Sequence, residues 1–258
     1  MGKEEVLKQI AEKILGSRRT VVFVGAGLST ESGIPDFRSP GGIWTRFDPE
    51  EFTYQNFLAS ERAREKYWQL GREIYALIKS ALPNAAHLAI AEMEKMGLLD
   101  CLITQNIDGL HFKAGNSPER VIEIHGTVMY VLCLTCAKRY ERDEIEARLA
   151  AGEKVPRCND CGGLLKPATV AFGQPMPERE TAEAFRRAAA AELFICIGSS
   201  LVVHPAAQLP VVAKDNGAFL AIINRDATTC DAIADIVYRG LAGPTMEKIM
   251  EHVREMRS

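Results

Sequence analysis

Four cysteines carry the most specific chemical signal in this sequence. Cys133 and Cys136 stand in "CLTC", Cys158 and Cys161 in "CNDC", and Gly162 and Gly163 follow the second pair. Each C-x2-C turn aims two thiolates at one point, and two such turns close a tetrahedral shell around one Zn²⁺. Four thiolates leave no position for water, so the metal is expected to be structural rather than catalytic. Redox-active pairs are the competing reading, and two pairs flanking one short polar linker disfavour it. The chain has seven cysteines; Cys101, Cys196 and Cys230 lie in apolar or mixed surroundings and read as buried thiols. An odd count without an export signal argues against a disulfide framework.

The other chemistry-bearing residues follow short apolar runs. Thr20–Val24 feeds Gly25, Ala26 and Gly27, and Cys101–Thr104 is followed by Gln105, Asn106, Asp108 and His111. Val121–Ile124 leads to His125 and Gly126, Leu193–Ile197 to "GSSLVVHP" from Gly198, and Phe219–Ile223 to Asn224, Arg225 and Asp226. Ligands of open α/β sheets bind at the carboxyl ends of strands, so these clusters predict a nucleotide crevice. Gly25 and Gly27 suit close approach of backbone to a pyrophosphate. Ser199 and Ser200 offer hydroxyls and amides to phosphate oxygens, and Asn224 suits a ribose hydroxyl. His125 reads as a general base near neutral pH, or equally as a structural hydrogen-bonded histidine. His87, His111 and His252 read as structural or exposed, and His204 is ambiguous. The first loop is not a dehydrogenase fingerprint. Thr30 fills the third glycine slot, and Gly33, Pro35, Pro40, Gly41 and Gly42 exclude a long helix. No acid ends a second strand about 20 residues on.

These residues need a scaffold, and the chain is long enough to supply one. It has 258 residues, 47% hydrophobic and 25% charged, with a net charge of −3. The two signs are interspersed, which gives no basic stripe for nucleic acid. No apolar run reaches about 18 residues, so no membrane span is expected. The opening segment places Val6, Leu7, Ile10, Ala11, Ile14 and Leu15 on one helical face, unlike the continuous apolar core of a signal peptide. A cytoplasmic location is the expectation. Further strands are predicted at Thr169–Phe172 and Ile236–Tyr238, and most of the runs are continuously hydrophobic, as strands covered on both faces are. Helices are predicted over Asn84–Met96, with Asn84 as N-cap and Gly97 past the end, over Glu178–Ala191, over Pro205–Lys214, and from Pro244 to the end. The alternation predicts an α/β fold: a Rossmann-like parallel sheet with helices on both faces, plus a small zinc-binding and helical lobe. The expected division is 1–30, 81–126 and 168–258 for the nucleotide-binding domain, 31–80 for the cofactor loop and a helical insert, and 127–167 for the zinc module.

The stretches "GAGLSTESGIPDFRSPGGIW", "TQNIDGLH", "HG", the paired C-x2-C turns, "FGQPMP", "GSSLVVHP" and "INRD" resemble, in this order, the sirtuin family of NAD-dependent protein deacylases. They span residues 25 to 226, nearly the whole chain. The resemblance implies that NAD is consumed as a co-substrate and no hydride moves. The acyl oxygen of an acyl-lysine attacks C1′ of the nicotinamide ribose, nicotinamide leaves, and a ribose hydroxyl activated by His125 attacks the acyl carbon. Free lysine and O-acyl-ADP-ribose result. By the same resemblance, Gly25, Ala26, Gly27, Thr30, Asp36, Phe37 and Arg38 belong to the cofactor loop, with Phe37 shielding the reactive centre. Gln105 and Asn106 lie on the nicotinamide ribose, Asn106 with a catalytic role, and Asp108 holds the carboxamide. Gly198, Ser199, Ser200, Asn224 and Arg225 serve the phosphates and the adenine ribose. The Val170 carbonyl receives the acyl-lysine N–H and Phe172 walls the lysine tunnel. Gly173 and a Val202–Val203 strand sandwich an acetylated-lysine peptide by strand addition in the cleft between the lobes.

Two departures bear on specificity. Gln174 replaces the Glu common after "FG". In "KYWQLGREIY", Lys66 to Tyr75, the Tyr and Arg that relatives use for acyl carboxylates fall on Trp68 and Gly71, or in another register on Tyr67 and Leu70, with Arg72 nearby. A deacetylase is therefore expected, one that also accepts longer neutral chains but not succinyl or malonyl groups. Mono-ADP-ribosyl transfer at the same site and non-enzymatic NAD binding are the alternatives.

Overall fold

The computed structural model describes residues 2–258. The first half contains α1 (Lys3–Gly16), β1 (Thr20–Val24), α2 (Tyr54–Ala59), α3 (Glu61–Ser80), α4 (Ala85–Lys95), β2 (Cys101–Thr104), α5 (Leu110–Ala114), β3 (Val121–Glu123) and β4 (Gly126–Cys133). The second half contains β5 (Arg139–Glu141), α6 (Arg142–Ala150), β6 (Leu165–Thr169), α7 (Glu178–Ala190), β7 (Leu193–Ile197), α8 (Leu209–Asp215), β8 (Phe219–Ile223), β9 (Ile236–Tyr238) and α9 (Ala242–Arg257). Among the described residues no helix is long and apolar enough to cross a membrane.

The main sheet has the order β3-β2-β1-β7-β8-β9, and every pairing is parallel. Its strands are buried on both faces. Val22 and Val24 pack with Leu7, Ile10, Ile90 and Ile249 from α1, α4 and α9. Val21 and Phe23 point the other way, onto Ala184 and Ala188 of α7 and Leu209 of α8. Successive side chains of a strand face opposite sides, so a five-residue apolar run serves two cores at once. Chain order reverses between β1 and β7, and at such a switch point the loops diverge and open a crevice. Asn84 caps α4 as expected, its side chain accepting from the Ala86 and His87 amides at 3.0 and 3.4 Å.

The expected strand at Thr169–Phe172 is corrected. The strand there is β6, which ends at Thr169 and pairs antiparallel with β4 in a second sheet of order β5-β4-β6. Val170–Phe172 is extended chain beyond it, held by the Val170 amide donating to the His125 carbonyl at 2.9 Å. An apolar run marks burial, not which sheet does the burying. Nor do Val202 and Val203 form a strand; they have no ladder partner among the described residues. Pro205–Lys214 splits into a 3-10 turn, Ala206–Gln208, and the shorter α8, while α9 starts before Pro244, at Ala242.

The second sheet is covered by α3 and α6 around a small core of Trp68, Val131, Tyr140, Ile145, Leu149 and Leu165, completed by Cys133 and Cys158. A core of this size is marginal alone, which is where small folds use metal. The four sulfurs of Cys133, Cys136, Cys158 and Cys161 lie within 4.8 Å of one another. Sγ separations of 3.5 Å (Cys133–Cys161) and 3.7 Å (Cys136–Cys158) approach the ~3.8 Å expected for four thiolates on ~2.3 Å Zn–S bonds. Tyr140 Oη lies 3.2 Å from Cys158 Sγ, and the Thr135 and Cys136 amides point at Cys133 Sγ. The donor set fits one zinc ion with no open coordination position.

Candidate active site

The crevice at the switch point is a cleft of about 560 Å³ between the two sheets. Its floor comes from the β1 and β7 loops, pressed together at backbone contact. The Gly27 amide donates to the Gly198 carbonyl at 2.8 Å, and the Gly25 amide to the Ile197 carbonyl at 3.1 Å. A Cβ on Gly27 would lie 2.8 Å from the Gly198 carbonyl oxygen, and one on Gly25 2.8 Å from Ser199 Cβ. These glycines therefore first allow loop-on-loop packing, a reason the sequence alone did not show. Gly198 is the tightest: its φ is +63° and a Cβ would sit 2.3 Å from the Leu28 nitrogen. Gly198→Ala is expected to destabilise the protein by about 3 kcal/mol or more, read from the denaturant midpoint. Thr30, in the missing glycine's place, closes the turn by donating its hydroxyl to the Gly27 carbonyl at 2.9 Å.

Behind this floor runs a buried polar chain. Asn106 Nδ2 donates to the Gly25 carbonyl at 3.2 Å and to Ser29 Oγ at 3.0 Å. Ser29 Oγ donates onward to Asp108 Oδ2 at 2.8 Å, and Asp108 Oδ1 accepts from the Leu110 amide at 2.9 Å. Burial raises the Asp108 pKa, opposed by these hydrogen bonds and the charge of Lys113. Ser29 is the residue the sequence reading missed: it joins Asn106 to Asp108, yet a serine in a polar loop carries no signal of a partner 79 positions away. Gln105 Oε1 accepts from Ser199 Oγ at 2.8 Å, tying the β2 and β7 ends together.

His125 sits between β3 and β4. Its Nδ1 lies 3.1 Å from the Gln105 carbonyl, which can only accept, so Nδ1 carries the proton and Nε2 is left basic. Burial lowers its pKa, partly offset by that hydrogen bond, so the ring is neutral at pH 7. In the general-base role the sequence predicts for it, His125 must be unprotonated, so the acid limb of kcat/KM should fall below the ordinary histidine value of about 6.5. A limb above it would show a base of another kind. The following glycine is forced, since Gly126 has φ +67° and a Cβ would lie 1.9 Å from the Ala168 carbonyl oxygen.

Around the cleft, the structure gathers nearly all the expected residues: Ala26, Thr30, Asp36, Phe37 and Arg38 on one wall, Ser199, Ser200, Asn224 and Arg225 on another, and Val170, Phe172, Gly173, Val202 and Val203 at the mouth between the sheets. Gly25 and Asp108 lie behind the surface rather than on it. Residues 36–44 form a loop closed on itself, with the Ile43 and Trp44 amides donating to the Asp36 and Phe37 carbonyls at 2.9 and 3.0 Å. Burial pushes the Asp36 pKa up but is outweighed by hydrogen bonds from Ser39 and Arg38 and by Arg225, leaving it low. Trp44 wedges between Phe37 and Phe172, at centroid distances of 5.6 and 5.8 Å. The Val170 carbonyl accepts no backbone hydrogen bond among the described residues, while the Gln174 side chain accepts from the Ala171 amide at 3.2 Å.

On α3, Tyr67, Leu70 and Gly71 line the cleft. Trp68 is spent in the core of the second sheet, and Arg72 pairs outward with Glu146 at 3.3 Å. Arg142 of α6 reaches the cleft from behind α3, which the sequence did not suggest. His111 and His87 are buried against each other at 4.9 Å, and burial holds their pKa values down to about 3 and about 4, a structural pair.

The doubly wound sheet, the switch-point cleft and the second sheet with its four-cysteine cluster define a Rossmann-like fold with a zinc-binding lobe. Comparison with known proteins narrows the class. The Sir2 family model matches residues 25–205, and the chain belongs to that family. It is 46% identical to an NAD-dependent protein deacetylase of Thermodesulfovibrio yellowstonii, covering 97% of this chain and 96% of that one. It is 43% identical to NAD-dependent protein deacylase 2 of Archaeoglobus fulgidus, over 99% of both. A solved complex of Sir2 with p53 peptide and NAD⁺ superposes with a TM-score of 0.88 at 36% identity, covering 98% of this chain and 99% of that one.

Proposed function

We propose that the chain is an NAD-dependent protein-lysine deacetylase that passes the acetyl group to ADP-ribose and releases nicotinamide. The observation that carries this reading is the joint geometry of His125 and Val170. One backbone hydrogen bond of 2.9 Å locks the base to the segment whose free carbonyl suits the N–H of an acetyl-lysine. NAD, when bound, supplies an electrophilic ribose carbon and a hydroxyl that accepts the acetyl group. The chain's residues do the rest. The β1 and β7 loops and Ser199 present amides and hydroxyls to the diphosphate, and Asn224 and Arg225 suit the adenine ribose. Gln105 and Asn106 position the other ribose, with Asp108 and Ser29 behind it on the carboxamide side. His125 Nε2 takes the hydroxyl proton, Phe37 and Trp44 keep water from the ribose carbon while nicotinamide leaves, and one water, admitted after lysine departs, supplies the carbonyl oxygen of the acetyl ester.

We place the peptide between Gly173 and Val202–Val203, as an added strand that uses backbone rather than side chains. That segment's irregular, unpaired backbone supports this placement. We keep the division at 1–30, 81–126 and 168–258 against 31–80 and 127–167, noting that β4 and β6 run one residue before and two residues past the zinc module's ends. A cytoplasmic location is part of the same reading, as is the absence of direct nucleic-acid binding.

The loop at 36–44 is tied to the far wall by Arg225 Nη2 donating to Ser39 Oγ at 3.1 Å. We read it as a lid, so hydrogen exchange across residues 30–42 should slow with NAD; equal protection with and without it would remove the lid. Mass spectrometry of products from NAD and an acetyl-lysine peptide tests the function itself. Nicotinamide, free lysine and O-acetyl-ADP-ribose in equal amounts are expected. ADP-ribosylated protein as the only product would instead indicate a transferase that modifies proteins.

A further inference from the structure

A buried lysine stands behind the segment that carries Val170. Lys166 of β6 is 1% exposed. Its Nζ donates to the Pro167 and Thr169 carbonyls at 3.2 and 2.5 Å and lies 5.5 Å from the centroid of the Tyr67 ring. These partners are two carbonyls and an aromatic face, not a carboxylate. Burying an ammonium on such partners is costly, and methionine would fill a similar space without that cost. What the amine adds is a set of N–H groups aimed at one short stretch of backbone.

That backbone is poorly held by its own sheet. β4 pairs with Thr169 at Gly126 and with Pro167 only at Val131, so the ladder bulges around Ala168. Pro167 has no amide to contribute. The chain then leaves β6 and runs on through Val170 and Ala171. A peptide unit is planar, so holding its oxygen and its nitrogen fixes its plane. In the unit that joins Thr169 to Val170, Lys166 Nζ holds the oxygen at 2.5 Å and the His125 carbonyl holds the nitrogen at 2.9 Å. In the next unit the Ala171 amide donates to Gln174 Oε1 at 3.2 Å, which leaves the Val170 carbonyl as that unit's free group. Two successive planes are pinned, and together they set the direction in which the Val170 carbonyl points. Thr169, Val170 and Gln174 line the cleft, whereas Lys166 stands behind them.

We infer that Lys166 and Gln174 are positioning residues for deacylation, aiming the Val170 carbonyl at the side-chain N–H of the acyl-lysine. The inference rests on the deacetylase reading. Neither residue takes part in a bond change. Lys166 acts through the Thr169 carbonyl, and Gln174 acts through the Ala171 amide. The role asks of position 174 only an oxygen that accepts, which glutamate would also offer.

The test compares the binding of two peptides. One carries acetyl-lysine; in the other, CH2 replaces the side-chain amide N–H, giving a methyl ketone of the same length. Lys166→Met should weaken the amide peptide by about fivefold, the size of one net hydrogen bond, and leave the ketone peptide within about twofold. Gln174→Ala should do the same, and Gln174→Glu, which keeps the acceptor, should keep the wild-type ratio. Equal weakening of both peptides, as general loss of packing would give, overturns the inference, and so does an unchanged ratio. Should Lys166→Met fail to fold, a scalar coupling across the hydrogen bond from Lys166 Nζ to the Thr169 carbonyl carbon reads the tether in the wild-type protein, and its absence removes the lysine from the role. Deacetylation by the wild-type protein with NAD is measured alongside. No turnover there would fail the deacetylase reading itself, whatever the binding ratios.

Discussion

His125→Ala is expected to lower deacetylation by about 10²- to 10⁴-fold, the range for removing a general base. The fold should survive, because the side chain's one protein hydrogen bond is to the Gln105 carbonyl, while the bond that holds Val170 uses the His125 backbone. The step affected is proton removal from the ribose hydroxyl, so nicotinamide release in a first turnover should suffer less than acetyl transfer. That split separates a base from a residue that only shapes the cleft, whose loss would lower both together. The bare Nε2 is also what makes the assignment specific. Had Nδ1 faced a donor instead of a carbonyl, the ring would carry its proton on the wrong side.

Removal of zinc is expected to abolish activity altogether and to unfold the second sheet. Apparent zinc affinities of such thiolate sites are about 10–16 kcal/mol, more than a core this small supplies. Two of the four ligands, Cys133 and Cys158, are themselves core residues packed with Trp68. Trp68 is 1% exposed, so its fluorescence should shift to that of a solvated indole as the metal leaves. Activity should fall in step, because β4 begins next to His125 and β6 ends next to Val170. Restoring zinc should recover both signals. A fully metal-depleted protein that keeps its fluorescence and turnover would show that the thiolates do not need the ion.

The main sheet was legible in the sequence because its strands are buried on both faces. Thr20–Val24, Leu193–Ile197 and Phe219–Ile223 carry uninterrupted apolar runs whose ends coincide with the strand ends. β5 alternates exposed and buried positions over three residues, β4 mixes buried and half-buried positions with no clean period, and both were missed; Thr169–Phe172 was assigned to the wrong sheet because pairing is a long-range property. The site divides in the same way. Residues with one local chemistry were candidates from the sequence: the four cysteines, whose sulfurs the fold brings together, and His125, which the fold places on the cleft. Ser29 and Arg142 were not, since each is placed by a partner or a space made elsewhere in the chain. Arg142 in particular reads as a surface charge in "YERDEIEARL", and only Gly71, Trp68 and Tyr75 from another helix turn it inward.

The central claim is that the acetyl oxygen itself ends on ADP-ribose: that oxygen displaces nicotinamide, His125 delivers the ribose hydroxyl to the acetyl carbon, lysine leaves, and one water supplies the carbonyl oxygen of the product ester. A single turnover with peptide labelled with ¹⁸O at the acetyl-lysine carbonyl measures this directly. The label is predicted in the ADP-ribose portion of O-acetyl-ADP-ribose. Label recovered in free acetate, with NAD left intact, would mean that water attacks the amide and would contradict the account.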